Sequence, residues 1–430
     1  MTDSLLVVLD DVVAGTLARL PGGKLRFDYT EEYRARPGAT PLSLWMPPQV
    51  RSHSHRTITP WLWGLLPDND AVLARWARQF HVSPSSPFSL LATQIGKDCA
   101  GAVRFASPEE IDSVLAQPAD VTWLAEEEVG ERLRDLREDS TSWLGRSFTG
   151  QFSLAGTQAK TALLFRDGRW GVPSGSAATT HILKPSVAAL DDHDLNEHLC
   201  LDAARRAGLV AARTTIARFA DESAVVVARY DRREVKGEIV RVHQEDLCQA
   251  LALPPSLKYQ NEGGPGPADI AKLFRTAMPS EAADDAVWRF ADALIWNWLI
   301  AGTDAHAKNY SLLIARDQIR LAPLYDVASA LPYEVHERKL KFAMKIGGDY
   351  RVFPYQNRWP EAARELALDA DALAGRVRAL AALAPDVFSD AAKVPEVKAL
   401  ERPLSTHLVD LVADRSRRCS QLLRRFDPAT

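Results

Sequence analysis

A short polar motif towards the C-terminal third places the strongest constraint on this chain. It reads Thr303-Asp304-Ala305-His306-Ala307-Lys308-Asn309, and a second acid, Asp326, follows after an expected hairpin. An Asp, an Asn five residues later and then another Asp is the arrangement with which phosphoryl-transfer enzymes hold a hydroxyl and Mg²⁺. On a regular helix, residues five apart point about 140° away from each other, so Asp304 and Asn309 can meet one ligand only in an irregular segment. The sequence therefore predicts a catalytic loop.

The sequence on either side of the motif supports a loop at this point. Residues 285–300 carry apolar side chains at helical spacing, and Gly302 is expected to end that helix. Residues 310–314 and 319–321 are predicted strands joined by a turn at Arg316-Asp317, so the second Asp follows a hairpin. A structural reading stays open, because an Asp after a helix is often only a turn former or a cap.

Composition excludes several classes of protein. A chain of 430 residues with 46% hydrophobic content can build a large core, divided into two or three units. A net charge of −4 argues against a surface that binds nucleic acid over its whole extent. The cysteines show no CxxC spacing, so neither a zinc site nor a disulfide framework is expected, and a reducing cytoplasm fits. The apolar runs are too short to span a bilayer, and we expect no membrane or export role.

The order of patterns along the chain indicates an α+β protein with four segments. Residues 1–105 are expected to form an N-terminal α+β subdomain that begins with an antiparallel meander over residues 4–29. Residues 106–149 are expected to form a linker and a helix over residues 123–137. Residues 150–243 are dominated by predicted strands and would bind nucleotide, whereas residues 244–430 are mostly helical and carry the catalytic motif. A β-rich lobe followed by a helical lobe is the order of a protein kinase.

Three further segments could contact a nucleotide. Ala155 to Lys160 forms a turn of small residues before a strand and ends in a Lys that could reach a phosphate, but it lacks the glycines of a Walker A loop. Lys184 ends a predicted strand and could project into a cleft. Main-chain groups of residues 228–230 could pair with adenine, and Asp231 with the ribose. The alternatives are an ordinary turn, an edge charge, and an Asp231 that pairs with a neighbouring Arg on the surface.

Many ordered motifs together resemble one family. These are 88–91 with 101–103, 153–160, 181–185, 229–232, 244–249, 258–259, 263–266, 303–309 and 325–326. The combination resembles HipA, the Ser/Thr kinase toxin family of bacterial type II toxin–antitoxin systems, over nearly the whole chain. The resemblance implies a two-lobed protein-kinase-like fold, with the N-terminal subdomain joined to the β-rich lobe.

The resemblance also implies a role for each matched residue, with ATP and Mg²⁺ as cofactors. Asp304 would be the catalytic base, Asn309 and Asp326 the Mg²⁺ ligands, and Ser153 a site of autophosphorylation. The residues that would bind ATP are Ala155, Gly156, Thr157, Gln158, Ala159, Lys160, Lys184, Ala228, Arg229, Tyr230, Asp231, His306, Lys308 and Tyr325. A phosphate on Ser153 would add a charge of about −1.5 to −2 beside the ATP loop and should eject it, which would inactivate the enzyme.

The chain departs from ordinary protein kinases at two motifs. Gly302-Thr303 stand where H-R-D would precede the catalytic loop, and Val327-Ala328 follow Asp326 in place of D-F-G. The HipA pattern itself uses such variants. An acid to pair with Lys184 is not settled, because Glu197 near the start of the next helix could equally serve the helix dipole.

Partners are implied by the resemblance alone. They are a HipB-like helix-turn-helix antitoxin that neutralises the kinase, operator DNA through the antitoxin complex, and a protein substrate such as an aminoacyl-tRNA synthetase. Arg376 and Arg378, and a cluster that begins at Arg415, could touch DNA, although helical Arg runs are usually solvated faces. Two other functions stay open: a catalytically silent kinase-like corepressor module, and a phosphotransferase that acts on small molecules.

Overall fold

The computed structural model describes residues 3–115, 120–145, 150–187, 190–316, 318–333 and 336–425. They fall into two compact units. The first comprises residues 1–185, 218–255 and 311–319, and the second comprises residues 186–217, 256–310 and 320–430. The four segments proposed from the sequence stay predictions. No helix in the described part of the chain is both long and apolar enough to cross a bilayer.

The first unit begins with the predicted meander, which is confirmed. Its antiparallel sheet has the strands, in spatial order, Ser52–His53, Leu25–Tyr29, Val12–Arg19, Ser4–Leu9 and Arg104–Ala106. The first hairpin turns through Asp10 and Asp11, both at positive φ, as a tight two-residue turn requires. Helices pack their apolar side chains on this sheet to form a core; they are Glu31–Arg34, His55–Gly64, Asp70–Phe80 and Pro87–Leu91, with a 3₁₀ turn at Gln94–Lys97.

A second sheet in the first unit carries most of the predicted nucleotide-binding strands. Five of its strands, in spatial order, are Glu222–Ala228, His181–Pro185, Thr161–Arg166, Arg169–Ser174 and Asp120–Leu124. Helix Glu126–Glu138 packs on it, and Arg137 forms a two-pronged ion pair with Glu222 at 2.8 and 3.0 Å. The remaining elements of this unit are helices Ile111–Leu115 and Leu247–Ala250, hairpin Arg232–Val235 with Glu238–Arg241, and strand His243–Asp246 paired with Ser311–Ala315.

The second unit is mainly helical. Its helices are His193–Arg206, Pro267–Ala277, Ser280–Ile300, Trp359–Leu366, Ala370–Ala392, Pro395–Lys398 and Leu404–Arg425. A hairpin joins Lys341–Ile346 to Asp349–Arg351, and 3₁₀ turns lie at Gln260–Glu262, Ala307–Asn309 and Glu337–Lys339. Helix Ser280–Ile300 is buried along much of its length, with Trp296 stacked on Phe388 and Trp298 edge-on to Trp359. Strands Thr214–Phe219 and Gln318–Leu321 and the 3₁₀ turn Pro255–Leu257 complete the described elements.

Three local predictions need correction or restriction. The helix before the catalytic motif ends with Ala301, not Gly302, in the left-handed conformation at φ 54°. Trp123, predicted to begin a helix, lies in strand Asp120–Leu124, because that stretch pairs with Arg169–Ser174. The turn predicted at Arg316-Asp317 falls partly on residue 317, which lies outside the described residues.

Candidate functional site

The catalytic motif is an irregular loop, as its spacing predicts. It leaves helix Ser280–Ile300 and closes in a 3₁₀ turn at Ala307–Asn309. Its main chain is held from both sides: Thr303 O accepts from Ala343 N at 2.9 Å, and Ala307 N donates to Lys258 O at 3.1 Å. These bonds fix the backbone on either side of the acidic residue.

Asp304 and Asn309 are brought together inside this loop. The side-chain amide of Asn309 donates to the main-chain oxygen of Asp304 at 2.7 Å. The carboxylate of Asp304 is exposed and accepts a hydrogen bond from the Tyr259 hydroxyl at 2.8 Å. An exposed carboxylate on a fixed backbone can accept a proton from a bound hydroxyl, which is the chemistry of a general base.

Tyr325 ties the segment that carries Asp326 to the catalytic loop. Its hydroxyl donates to Lys308 O at 2.7 Å. Asp326 itself is half-buried and adopts a left-handed conformation at φ 57°, which Asp tolerates better than most residues. His306 and Lys308 are buried, and the His306 ring packs edge-on against Tyr259 with 5.0 Å between centroids. The two acids and the amide therefore belong to two stretches joined by a direct hydrogen bond.

The side-chain atoms predicted to hold a metal ion are all oxygen. Asn309 uses its amide nitrogen for Asp304, so its amide oxygen is the atom that can ligate, together with the Asp326 carboxylate. Within the described residues, no group of three or more His, Cys, Asp and Glu side chains could hold an ion. A sparse oxygen set of this kind suits Mg²⁺, which keeps water and substrate phosphates in its shell.

The predicted phosphate loop is folded against the first unit's N-terminal residues. Ser153 is fully buried and its hydroxyl donates to Leu65 O at 2.7 Å. Lys160 Nζ donates to Ala155 O at 2.7 Å and lies 5.0 Å from the Trp143 ring centroid. Gly156 has φ +104°, and a Cβ there would come within 2.7 Å of Lys160 Nζ. The loop is thus a compact turn closed by its own Lys.

The predicted adenine and ribose contacts lie beside a buried charge cluster. Arg229 N donates to Thr180 O at 2.9 Å, and the Tyr230 hydroxyl bonds to Gln244 Oε1. Asp231 is buried, pairs with the Arg229 guanidinium at 2.7 Å, and accepts from Gly101 N at 2.7 Å. Its pairing with a nearby Arg is in the interior rather than on the surface, and a ribose contact stays a prediction.

Lys184 and Glu197 are both buried. Lys184 lies within strand His181–Pro185, opposite Val225 of the neighbouring strand, and not beyond its end. Glu197 is in the interior of helix His193–Arg206. Its carboxylate therefore does not lie in water at the start of the helix. Burial argues against the alternative in which Glu197 serves only the helix dipole.

The arginines considered for DNA contact behave differently. Arg376 forms a two-pronged ion pair with Asp292 at 2.6 and 2.8 Å, and its DNA contact stays a prediction, as does that of Arg378. Arg415 is fully buried, where it donates to Trp298 O and Val352 O. The suggestion that Arg415 could reach DNA is therefore wrong, since the helix face that carries it packs inward.

Sequence reasoning gave no role to two residues that shape these loops. Tyr259 stood in a recognised motif, but its bond to Asp304 joins residues 45 positions apart. Asp98 is fully buried, and its carboxylate accepts from Thr179 and Arg232 at 2.7 and 2.8 Å. The sequence signal that could have pointed to them is position: Tyr259 lies in the motif 258–259, and Asp98 lies shortly before the motif 101–103.

Comparisons with known proteins decide the family. The model of the HipA-like C-terminal domain matches residues 152–388, and that of the HipA N-terminal domain matches residues 5–106. The chain belongs to the HipA family. A Sinorhizobium fredii protein named "Putative kinase Y4mE" is 35% identical over 79% of both chains. The serine/threonine-protein kinase toxin HipA of Shewanella oneidensis is 29% identical over 78% of this chain and 79% of its own length.

A solved structure confirms the predicted fold class. The Shewanella oneidensis HipA, HipB and operator DNA complex contains a chain that matches with a TM-score of 0.79 and 25% identity, over 98% of this chain and 97% of that chain. The protein therefore has the two-lobed, kinase-like α+β fold of HipA.

Proposed function

We propose that this HipA family member is an ATP-dependent serine/threonine protein kinase that acts as a toxin in the cytoplasm. The observation that carries the proposal is the catalytic loop, in which Asn309 is bonded to Asp304 and Asp304 keeps an exposed carboxylate. Kinship with proteins named as kinases supports it. All four cysteines are buried and outside any disulfide, which fits a reducing compartment.

The residues divide the work of phosphoryl transfer. Asp304 accepts the proton of the acceptor hydroxyl, with Tyr259 fixing the direction of its carboxylate. Asn309 and Asp326 would hold Mg²⁺, which would supply positive charge to offset the negative charge of the phosphates. Residues 155–160 and Lys184 contact the phosphates, and residues 228–231 lie at the adenosine. Because little covalent chemistry is asked of the protein, positioning and charge account for most of the rate.

The proposed regulation and partners rest on likeness to the family. Ser153 would be autophosphorylated, and a phosphate could not remain in its present site, because the hydroxyl is buried against Leu65 O. The loop would have to leave, which would stop ATP binding. A HipB-like antitoxin would neutralise the kinase and bring it to operator DNA, as the Shewanella complex contains all three components. An aminoacyl-tRNA synthetase is the proposed class of substrate.

The test is transfer of label from γ-labelled ATP with Mg²⁺, to the chain itself and to proteins of a lysate. Asp304→Asn should lower kcat by roughly 10²- to 10⁴-fold, the usual contribution of a general base. Asp284→Asn, an exposed acid on helix Ser280–Ile300, is the matched control and should leave kcat unchanged.

Each other outcome of this assay overturns either the protein-kinase proposal or the role given to Asp304. Label on small molecules would indicate a metabolite phosphotransferase. No transfer by the unmodified chain, with ATP and lysate present, would favour the silent corepressor module. Equal transfer by Asp304→Asn and the unmodified chain would remove Asp304 from the mechanism.

A further inference from the structure

Four residues between a 3₁₀ turn and a strand of the N-terminal sheet contact the start of the phosphate loop. They are Asp98 to Gly101, which we call the anchor segment. Asp98 O accepts from Ser153 N at 3.0 Å, and Ala100 N donates to Ser153 O at 3.2 Å. The anchor segment therefore brackets Ser153 in the manner of a short parallel bridge.

The same four residues contact the predicted adenosine segment. Cys99 O accepts from the guanidinium groups of Arg229 and Arg232 at 3.0 and 3.1 Å. Gly101 N donates to Asp231 Oδ2 at 2.7 Å, and Gly101 O accepts from Arg232 at 2.9 Å. Main-chain groups of the anchor segment thus bind both the phosphate loop and the adenosine segment. The first contact spans more than 50 positions of the sequence and the second spans 130.

The Asp98 side chain makes the anchor segment rigid. Its carboxylate accepts from Thr179 N and Oγ1 at 3.0 and 2.7 Å and pairs with Arg232 and Arg241 at 2.8 and 3.2 Å. With Arg229 and Asp231, the buried cluster holds three guanidinium groups and two carboxylates. Removing one carboxylate leaves uncompensated positive charge in the interior, which is strongly unfavourable.

A second set of contacts from the same N-terminal region holds the rest of the phosphate loop. Asp68 N donates to Gly156 O at 3.0 Å, and the Asn69 amide donates to Thr157 O at 3.4 Å. Asn69 also caps helix Asp70–Phe80 through its side-chain oxygen, so the loop is bonded to a fixed helix end. The loop's conformation is consequently set by residues of the N-terminal subdomain.

We infer that the anchor segment is a positioning element for the nucleotide, which keeps the phosphate loop and the adenosine segment at a fixed spacing. The inference rests on the proposed function, since it concerns the site that would bind ATP. A ligand that is held at both ends requires the two binding segments to lie at the correct distance from each other. A rigid support reduces the conformational entropy that these segments lose on binding. The N-terminal subdomain would then be part of the kinase's ATP site, in addition to any role in binding partners.

The experiment uses three variants of the full chain. Asp98→Asn removes the charge but keeps the main-chain bonds, and Thr179→Val removes only the hydroxyl between Asp98 and Arg229. Tyr33→Phe is the matched control, because it removes a buried hydroxyl bonded to Thr40 O in the same subdomain, away from both segments. Amide hydrogen exchange is followed for residues 151–160 and 228–232, together with kcat and KM for ATP.

We expect Asp98→Asn to accelerate exchange in both segments and to raise KM for ATP about tenfold, with kcat within about threefold, because ground-state binding is what the anchor supports. Thr179→Val should raise KM about threefold. Tyr33→Phe should change neither the exchange in the two segments nor KM for ATP. Should Asp98→Asn not fold, Thr179→Val decides the question.

The inference is overturned if folded Asp98→Asn, or Thr179→Val in its place, leaves exchange in both segments unchanged. It is also overturned if Tyr33→Phe raises KM as much, since general loosening of the subdomain would then explain the effect. Absence of turnover in every chain would count against the proposed kinase activity alone, because hydrogen exchange reports on the anchor without ATP.

Discussion

Asp98 and Asp304 use the same side chain in opposite ways. Asp98, in the first unit, is fully buried and meets several arginines and Thr179. Burial alone would raise the pKa of its carboxyl, but Arg232, Arg241 and Arg229 outweigh burial and hold the pKa well below its ordinary value. Asp304, in the second unit, is exposed, and among the described residues the Tyr259 hydroxyl is the donor that meets its carboxylate.

The surroundings of a carboxylate decide whether it holds segments together or takes part in a reaction. A carboxylate whose oxygens are all occupied by fixed donors holds segments together but cannot exchange protons with a substrate. A carboxylate with a fixed backbone and an open face can do so. In this protein Asp98 supports loops of the first unit, whereas the Asp304 carboxylate is left accessible.

Placing a new acid at the buried Ser153 should destabilise the first unit, because a carboxylate loses its hydration there. Ser153→Asp would bury a carboxylate against Leu65 O, and we expect a loss in unfolding free energy on the order of 3 kcal/mol, measured by urea denaturation. Ser153→Ala is the control and should cost about 1 kcal/mol, the value of one hydrogen bond. Equal stability of the two variants would show that this site tolerates charge.

A third acid, Glu245, is buried with no ion pair to a cation among the described residues. It is fully buried, accepts from Leu44 N at 3.0 Å, and burial raises the pKa of its carboxyl from 4.5 to about 7. Between these values the folded protein keeps a proton that the unfolded chain has released, so stability falls as pH rises from 4.5 through about 7.

Replacing Glu245 with Gln should remove this dependence on pH. Gln can accept the same bond from Leu44 N and never ionises. At pH 8 the variant should be more stable than the unmodified chain by up to about 3 kcal/mol, and near pH 4 the two should be alike. Denaturant unfolding at both pH values measures the difference. A gap that does not change with pH would mean that the pKa of Glu245 is the same in the folded and unfolded states.

The smallest expected effect concerns the orientation of Asp304. Tyr259→Phe removes the hydroxyl that holds its carboxylate, and we expect kcat to fall roughly tenfold, as for one hydrogen bond to a charged group. Unfolding stability should hardly change, because the site is exposed. Tyr350→Phe, in the same unit, serves as the control and should leave kcat unaltered. A kcat unaffected by Tyr259→Phe would show that backbone geometry alone orients Asp304.

The sequence predicted local features better than distant contacts. The irregular catalytic loop followed from the spacing of Asp304 and Asn309, and the N-terminal meander from alternation and turn residues. The left-handed helix end at Ala301 was missed because Gly302, the usual choice for such a position, is the next residue. The pairing of Asp231 with Gly101 spans 130 positions, which no local pattern encodes.

The central claim is that this protein binds Mg²⁺–ATP through the residues proposed for the phosphates, the adenosine and the metal. Hydrogen exchange with and without the non-hydrolysable analogue AMP-PNP and Mg²⁺ tests it most directly. The account predicts slower exchange in residues 153–160 and 228–231 and, in the same experiment, in residues 303–309 and 325–327. Protection in only one of these two sets, or in neither at saturating analogue, would contradict it.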